Sequence, residues 1–421
     1  MELNEYINQI KEKQLTEVDL SPYELELIPQ EVFEFTWIEK LIVGRFLNYK
    51  DYEFEGKRTC KLKELQEDFT KLINLKSLAI SGGLFGAPKP EYRNFELLGK
   101  LTSLKSLYIE TTNLCNIEFL KSLNNLEDLQ ISHTEIKDYK PLKKLTKLKS
   151  LTLGDNEIED IDFLQSFENL EALSLTTNKI TSLDPIKHNT NLKRLCVCNN
   201  SIENYEALKQ FSELEYFCNG SNHSIEILSN NKQLIEFEPQ KIDQIGLNQL
   251  KEFKNLKTVN IWKFIGNSID VSSLSPVENL QVYGDFESIT GLESLKKLKS
   301  IHISSKKLDS IKIPYSENLQ KIGIPECPIE NFEFYSDFTA ISELDISHTK
   351  INSLYPLEKI EQLTRLYCDN TMITSLKPIL HLIREDFEIN FWGEKIPEKL
   401  QEYYENNENE GIIKYYREHD R

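Results

Sequence analysis

The sequence predicts a solenoid of the α/β class, in which short repeated units coil and their strands form one parallel, concave sheet. Six leucines recur at a constant spacing of 22 residues, and each begins the same pattern, leucine-x-x-apolar-x-apolar. These leucines are Leu104, Leu126, Leu148, Leu170, Leu192 and Leu214. A constant period in this range indicates a repeat array, because no unit could bury its leucines without its neighbours.

The unit that begins at Leu126 indicates how one turn of the coil is built. Leu129 and Ile131 alternate with polar residues, which is the period-two pattern of a strand with one buried face. Later apolar residues follow at a spacing of three, which predicts a 3₁₀ or irregular segment on the convex side. These features are those of a leucine-rich repeat horseshoe, and the register extends from Leu15 to roughly Arg384, for about 17 units.

Place nine of the repeat carries a polar residue in unit after unit, although its neighbours are apolar. Asn156, Asn178 and Asn200 occupy this place, and Thr349 and Thr371 occupy it further along. Backbone groups at a bend have no strand partner, and a buried amide or hydroxyl can form hydrogen bonds with them. We therefore predict a structural ladder in this column and no ligand site.

The repeat register divides the chain into three predicted parts. Residues 1–14 have apolar side chains at helical spacing and are expected to cap the amino-terminal end of the array. The solenoid itself is expected over 15–395, and residues 396–421 are expected to form a second helical cap. Caps are needed because an open solenoid exposes its apolar interior at both ends.

Three irregularities interrupt the predicted array. Insertions are expected near 45–60 and 82–94, and a polar run shortens the unit over 217–233. Aromatic residues in the insertions favour packing against the first turns, with a partner contact as the alternative. The shortened unit is expected to be either a kink or a contact loop.

Charge and composition limit the classes of partner. The chain has 68 acidic and 50 basic side chains, a formal net charge of -18, which argues against binding of nucleic acid or an anionic membrane. We expect a partner protein with a basic surface, and a monomer. The first residues lack the long apolar core of a signal peptide, no membrane span is evident, and the seven cysteines are scattered. A cytoplasmic location is therefore expected.

A motif on the return segment carries a resemblance to known proteins. It consists of Ile136, Tyr139, Pro141 and Leu142, and it recurs with the same spacing from Ile180, Ile351 and Ile373. This motif resembles the short-repeat class found in internalins and in the phosphatase-regulating SDS22 proteins. The resemblance implies a curved protein-binding surface without enzymatic activity.

The two ends of the chain carry a second resemblance. The stretch from Val18 to Phe33 and the tail from Ile396 to Tyr416 look like segments of the repeat portion of Roco-type GTPases. The fragment over 56–59 is the nearest approach to a phosphate loop, but it lacks the first glycine and the serine or threonine after the lysine. No nucleotide site is therefore expected.

The sequence holds no nucleophile elbow, zinc-protease helix or paired cysteine cluster, so we expect no catalytic residue, cofactor or metal. Cys196, Cys198 and Cys218 come closest to a metal site, with His223 near them in sequence. Cys196 and Cys218 share place five in adjacent units and could lie side by side. Ordinary thiols are the preferred interpretation, because a fourth ligand has no defined spacing, and oxidation of two neighbouring thiols is the alternative.

Places three, five and seven of each strand are expected to project to solvent from the concave face. Aromatic residues and arginine dominate protein interfaces, so at these places they indicate binding. The candidate partner-binding residues are Arg194, Tyr216, Trp262, Lys263, Tyr283, His302, His348, Arg365, Tyr367 and Asp369. They predict that a partner binds the second half of the concave face. A partner spread over the whole arc, or bound to the convex face, is the alternative.

The sequence thus favours a non-enzymatic module that binds a partner protein on its concave face. The alternative function is regulation of an enzyme, either as a phosphatase-regulating subunit or as an inhibitor that neutralises a toxin. An acidic surface suits both functions, because it complements a basic target.

Overall fold

Two compact units, Met1–Gly220 and Ser221–Arg421, make up the chain in a computed structural model; we term them unit 1 and unit 2. The structure describes residues 1–44, 46–48, 53–55, 61–82, 92–220, 225–330, 340–384, 386–391 and 411–415. Each unit repeats one turn, a short parallel strand followed by a bend and a 3₁₀ or irregular return. None of the helices in these ranges has the length and apolar character needed to span a membrane.

Unit 1 begins with helix α1, Leu3–Lys13, which buries Ile7 and Ile10 and lies within the residues expected to form a cap. Its strands are β1 Glu17–Asp19, β2 Lys40–Val43, β3 Phe46–Asn48, β4 Glu53–Glu55, β5 Ser77–Ser81, β6 Ser106–Glu110, β7 Asp128–Ser132, β8 Ser150–Thr152, β9 Ala172–Ser174, β10 Arg194–Cys196 and β11 Tyr216–Asn219. They form one parallel sheet in chain order. The exceptions are β3 and β4, which form an antiparallel hairpin within the first predicted insertion.

Unit 2 follows the same plan. Its strands are β12 Glu236–Pro239, β13 Ile242–Asp243, β14 Thr258–Ile265, β15 Ser268–Asp270, β16 Asn279–Gly284, β17 Ser288–Thr290, β18 Ser300–Ser304, β19 Lys321–Gly323, β20 Glu343–Asp345, β21 Arg365–Tyr367 and β22 Glu388–Asn390. Strands β12, β14, β16 and β18 to β22 pair in parallel in that order. Strand β13 adds to β14, and β15 pairs with β17. Helix α2, Gln244–Gln249, follows β13, and 411–415 is helical.

Short 3₁₀ helices form most of the return segments, as the spacing of three predicted. In unit 1 they are Ser21–Tyr23, Gln30–Glu34, Glu67–Lys71, Phe95–Lys100, Glu118–Ser122, Lys140–Lys144, Asp162–Ser166, Asp184–Ile186 and Glu206–Gln210. In unit 2 they are Ile225–Leu228, Leu250–Glu252, Ser272–Leu274, Leu292–Ser294, Tyr355–Leu357 and Lys377–Ile379. Several begin with proline at the first or second position, where its fixed φ suits the turn and its missing N–H is not needed.

The predicted repeat register is confirmed. Every repeat start inferred from Leu15 to Leu363 is followed two residues later by a strand that pairs in parallel with its neighbour. The last strand, β22, begins at Glu388, two residues beyond the place that the approximate start at Arg384 implies. Inward side chains such as Leu126 are fully buried, because each turn covers the apolar edge of its neighbour.

The polar residues at place nine form the expected ladder of hydrogen bonds. The Nδ2 atom of Asn178 donates to the carbonyl oxygens of Leu153 (2.8 Å) and Leu175 (3.0 Å). Its Oδ1 atom accepts from the backbone N–H of Ile158 at 2.8 Å. One repeat earlier, Asn156 donates to the carbonyl oxygen of Ile131 and accepts from the backbone N–H of Thr134. Thr349 and Thr371 donate to the carbonyl oxygens three residues before them. The structural role predicted for this column is confirmed.

Parts of the predicted irregular segments lie outside the described residues, namely 45, 49–52, 56–60, 83–91 and 221–224, which includes His223, and so does most of 396–421. Tyr92, at the end of the second insertion, is 3% exposed, and its hydroxyl donates to the carbonyl oxygen of Ser81 at 3.3 Å. This contact agrees with packing of the insertion against its own unit. That 15–395 forms a single domain stays a prediction.

Candidate functional site

The candidate site is the face of the unit 2 sheet that points away from the apolar core, which we term the open strand face. Successive strand residues point to opposite faces, so places three, five and seven stand on it. Because the strands pair without offset over places three to five, equal places form rows across this part of the sheet. The place-five row is Asn260, Gln281, His302, Gly323, Asp345, Tyr367 and Asn390.

Three side chains of this face form what we term the aromatic row, Trp262, Tyr283 and His302. The ring centroids of Trp262 and Tyr283 are 5.9 Å apart with an interplanar angle of 9°. Those of Tyr283 and His302 are 5.4 Å apart at 40°. Trp262 is 54% exposed. An indole with more than half of its surface in water contributes little to packing within its own chain, so a different role is needed to explain it.

Gly323 makes room for the imidazole of His302. A Cβ atom at residue 323 would overlap the Nδ1 atom of His302, so the ring extends over the neighbouring strand toward Asp345. Burial lowers the pKa of His302, although the carboxylates of Asp345 and Glu343 act in the opposite direction. Burial, and then the Asp345 carboxylate, raise the pKa of Tyr283. A neutral imidazole and a neutral phenol therefore stand beside an acidic group.

Charged side chains of alternating sign occupy place three from Lys321 to Glu388. Glu343 lies between Lys321 (3.0 Å) and Arg365 (3.2 Å), and the Nε atom of Arg365 lies 3.1 Å from Glu388. Tyr367 donates its hydroxyl hydrogen to Glu388 at 3.0 Å, and burial followed by this bond raises the pKa of Tyr367 to about 12. Exposed ion pairs contribute little stability, so their main effect is to hold these side chains in a fixed arrangement.

The other predicted residues of unit 2 lie at the edge of the open strand face. Lys263 is exposed at an irregularity of β14, where the register with β16 shifts between Ile261 and Phe264. His348 is exposed in the turn after β20, with a φ of 57°. Its backbone N–H donates to the carbonyl oxygen of Asp369 at 2.7 Å. Lys263 and His348 therefore flank the open strand face, whereas Asp369 occupies place seven of its repeat, as Trp262 and Tyr283 do in theirs.

In unit 1, the expectation that Tyr216 projects to solvent is wrong. Tyr216 is 2% exposed, because it packs with Cys196 and Cys218 and because the Arg194 guanidinium lies over its ring, 4.1 Å from the centroid. The sequence contains a signal for this pair. Arg194 and Tyr216 occupy the same place in adjacent repeats, and a cation and an aromatic ring in register on neighbouring strands attract each other.

Cys196 and Cys218 are register partners on β10 and β11, so their predicted side-by-side placement is confirmed. The structure joins Cys198 to Cys218 in a disulfide and leaves Cys196 buried and outside this disulfide. The preferred expectation of ordinary thiols is therefore wrong for two of the three. Disulfides are typical of oxidising compartments, so the cytoplasmic location stays a prediction.

Sequence reasoning missed two residues of the open strand face, Gly323 and Asp345. Both occupy place five, like His302 and Tyr367 on either side of them. Comparison of equal places in adjacent repeats would have grouped Gly323 and Asp345 with these residues. A search for large side chains alone passes over them, because one has no side chain and the other is a common surface residue.

A family model described as "Leucine Rich repeats (2 copies)" matches the chain twice, over 124–166 and 146–188. These residues lie in the part of unit 1 with the most regular period. The chain therefore carries leucine-rich repeats over these residues and has the leucine-rich repeat fold. Leucine-rich repeat proteins generally mediate protein–protein interactions, through the extended surfaces that their stacked units form.

Solved structures of leucine-rich repeat proteins are similar to this chain, and one of them has a TM-score above 0.5. A leucine-rich repeat protein of Leptospira interrogans is 17% identical with a TM-score of 0.53, over 93% of this chain and 98% of that chain. An internalin, InlF, of Listeria monocytogenes is 22% identical with a TM-score of 0.43, over 79% and 83%. The functional domain of InlJ of the same organism is 19% identical with a TM-score of 0.48, over 77% and 74%. Among curated proteins, none matches this leucine-rich repeat protein.

Proposed function

We propose that this leucine-rich repeat protein binds another protein through the open strand face of unit 2, with the aromatic row as the central contact. The observation that carries the proposal is the exposed indole of Trp262, stacked at 9° on Tyr283. Tryptophan and tyrosine are the residues most enriched where truncation costs binding energy. Stacking holds both rings in place before the partner arrives, so little side-chain entropy is lost on binding.

The charges around the aromatic row favour a partner that presents a lysine or arginine. Lys321 and Arg365 already lie within ion-pair distance of Glu343, whereas Asp345 forms no ion pair with any residue that the structure describes. A cation placed over the Trp262 or Tyr283 ring would gain cation–π attraction. The Asp345 carboxylate lies two strands from His302 in the place-five row and adds a charged hydrogen-bond acceptor. The formal net charge of -18 favours the same kind of partner at longer range.

Affinity measurements with single variants test the proposal. The partner is first captured from an extract of the native cell and purified, and its dissociation constant is then measured by calorimetry. Trp262→Ala is expected to weaken binding at least about 30-fold, the loss of a central contact residue. Asp345→Asn is expected to weaken binding less, and more at low salt than at high salt.

Tyr355 provides a matched control. It is an aromatic residue of unit 2 that is 65% exposed, and it lies at the start of a 3₁₀ helix on the return segment. Tyr355→Ala is expected to change the affinity less than about 3-fold. Equal affinities of wild type and Trp262→Ala, or a larger loss for Tyr355→Ala, would contradict the proposal.

A further inference from the structure

We propose that unit 1 carries a zinc site formed by the thiolates of Cys196, Cys198 and Cys218, which becomes available when the Cys198–Cys218 disulfide is reduced. This site is separate from the open strand face of unit 2 and does not depend on its function. It also departs from the sequence-based expectation that these cysteines bind no metal. Three converging sulfur atoms are a donor set that zinc prefers among common biological cations.

Two adjacent strands place the three ligands. Cys196 and Cys218 are register partners on β10 and β11. Cys198 follows Cys196 by two residues, so it leaves the same face of the sheet, and its Cα atom lies 5.9 Å from that of Cys218. The three Sγ atoms all lie within 4.8 Å of one another. Tetrahedral zinc with bonds of about 2.3 Å needs sulfurs roughly 3.8 Å apart, which side-chain rotation can supply without movement of the strands.

The surroundings suit a metal-bound thiolate cluster. Cys196 and Cys218 are 4% exposed and pack against Tyr216, whereas Cys198 is half-buried and leaves a route from solvent. Arg194 precedes Cys196 by two residues on the same face and lies over the Tyr216 ring. Three thiolates and one zinc ion carry a net charge of -1, and a guanidinium on the same face compensates this charge in part.

The exchange between the two states is chemically balanced. A dithiol reductant gives two electrons to the disulfide, its own sulfurs join, and Cys198 and Cys218 become thiols. Zinc then displaces three thiol protons to solvent and forms three Zn–S bonds, and a water molecule takes the fourth position. Oxidation removes two of the three ligands, so disulfide formation and zinc binding exclude each other.

Metal titration of the full-length protein tests this site. The protein is reduced with a dithiol, separated from it without oxygen, and titrated with Zn²⁺ against a chromophoric chelator. Reduced wild type is expected to bind one zinc ion at this site, and Cys196→Ser is expected to weaken that binding at least about 10-fold. Co²⁺ in place of Zn²⁺ is expected to give sulfur-to-metal charge-transfer absorption in the near ultraviolet with the intensity of three thiolates.

Two controls keep the result decisive. Cys115 is an exposed free thiol of unit 1, and Cys115→Ser is expected to leave zinc affinity unchanged. Oxidised wild type, which keeps every side chain, is expected to lose the zinc site even if a serine variant were to unfold. The proposal is wrong if reduced and oxidised wild type bind zinc equally, or if Cys115→Ser weakens binding as much as Cys196→Ser.

Discussion

Replacement of Asn178 by alanine tests how the ladder stabilises the repeats. Asn178 is buried, and its amide bonds the carbonyl oxygens of Leu153 and Leu175 and the N–H of Ile158 at 2.8 to 3.0 Å. Alanine leaves these groups without that partner inside the bend. Each buried group left without a partner costs about 1 to 3 kcal/mol, and partial relaxation reduces the sum, so we expect a loss of roughly 3 kcal/mol.

Urea unfolding followed by far-ultraviolet circular dichroism measures this loss. A loss of about 3 kcal/mol corresponds to a change of roughly a hundredfold in the unfolding equilibrium constant. Hydrogen–deuterium exchange supplies a local readout, because the N–H of Ile158 loses its acceptor. Exchange of a peptide over 153–158 is expected to accelerate in the variant more than exchange at the distant strand β2.

Asn169 is the matched control for this prediction. Its Nδ2 atom donates to the carbonyl oxygen of Thr146 at 3.1 Å, but the bond is exposed to water. Asn169→Ala is therefore expected to cost less than about 1 kcal/mol. If both variants lose the same stability, or if exchange over 153–158 does not change in Asn178→Ala, the structural role assigned to the ladder is refuted.

Three further predictions concern unit 2. Gly323→Ala is expected to displace the His302 ring and to lower stability by about 1 to 3 kcal/mol, measured by thermal unfolding; an unchanged melting temperature would contradict the close approach. Gly291→Ala is expected to destabilise similarly in urea unfolding, because φ is 82° and a Cβ would overlap Asp270. Burial lowers the pKa of His302 from its ordinary value of 6.5, so the neutral imidazole stabilises the fold at pH values above 6.5. That contribution is lost as pH falls through the folded pKa. Wild type should therefore lose more stability on acidification than His302→Gln does, and the opposite order would count against a buried imidazole.

The strand positions could be predicted from sequence because the repeat leaves little freedom. A shift of one residue would turn every inward leucine to solvent, so the apolar pattern determines the register. The ladder could be predicted for a similar reason, since an amide at a buried bend has backbone groups as its nearest partners.

The side-chain arrangements on the sheet faces could not be predicted in the same way. The burial of Tyr216 depends on the position of the Arg194 guanidinium on the neighbouring strand. The disulfide joins Cys218 to Cys198 and not to its register partner Cys196. Which of these two cysteines bonds to Cys218 depends on the directions of the side chains. Such contacts depend on side-chain rotamers and on which residues face each other on adjacent strands. The apolar pattern of a single repeat contains neither kind of information.

Site-specific photo-crosslinking tests most directly whether the open strand face binds a partner. A benzophenone amino acid replaces Lys263, which is exposed beside Trp262, and the protein is irradiated in an extract of the native cell. We predict a crosslink to one protein that disappears when Trp262→Ala is added to the same chain. A crosslink that persists with Trp262→Ala, or one that forms from a benzophenone at Tyr355 and not from residue 263, would contradict the account.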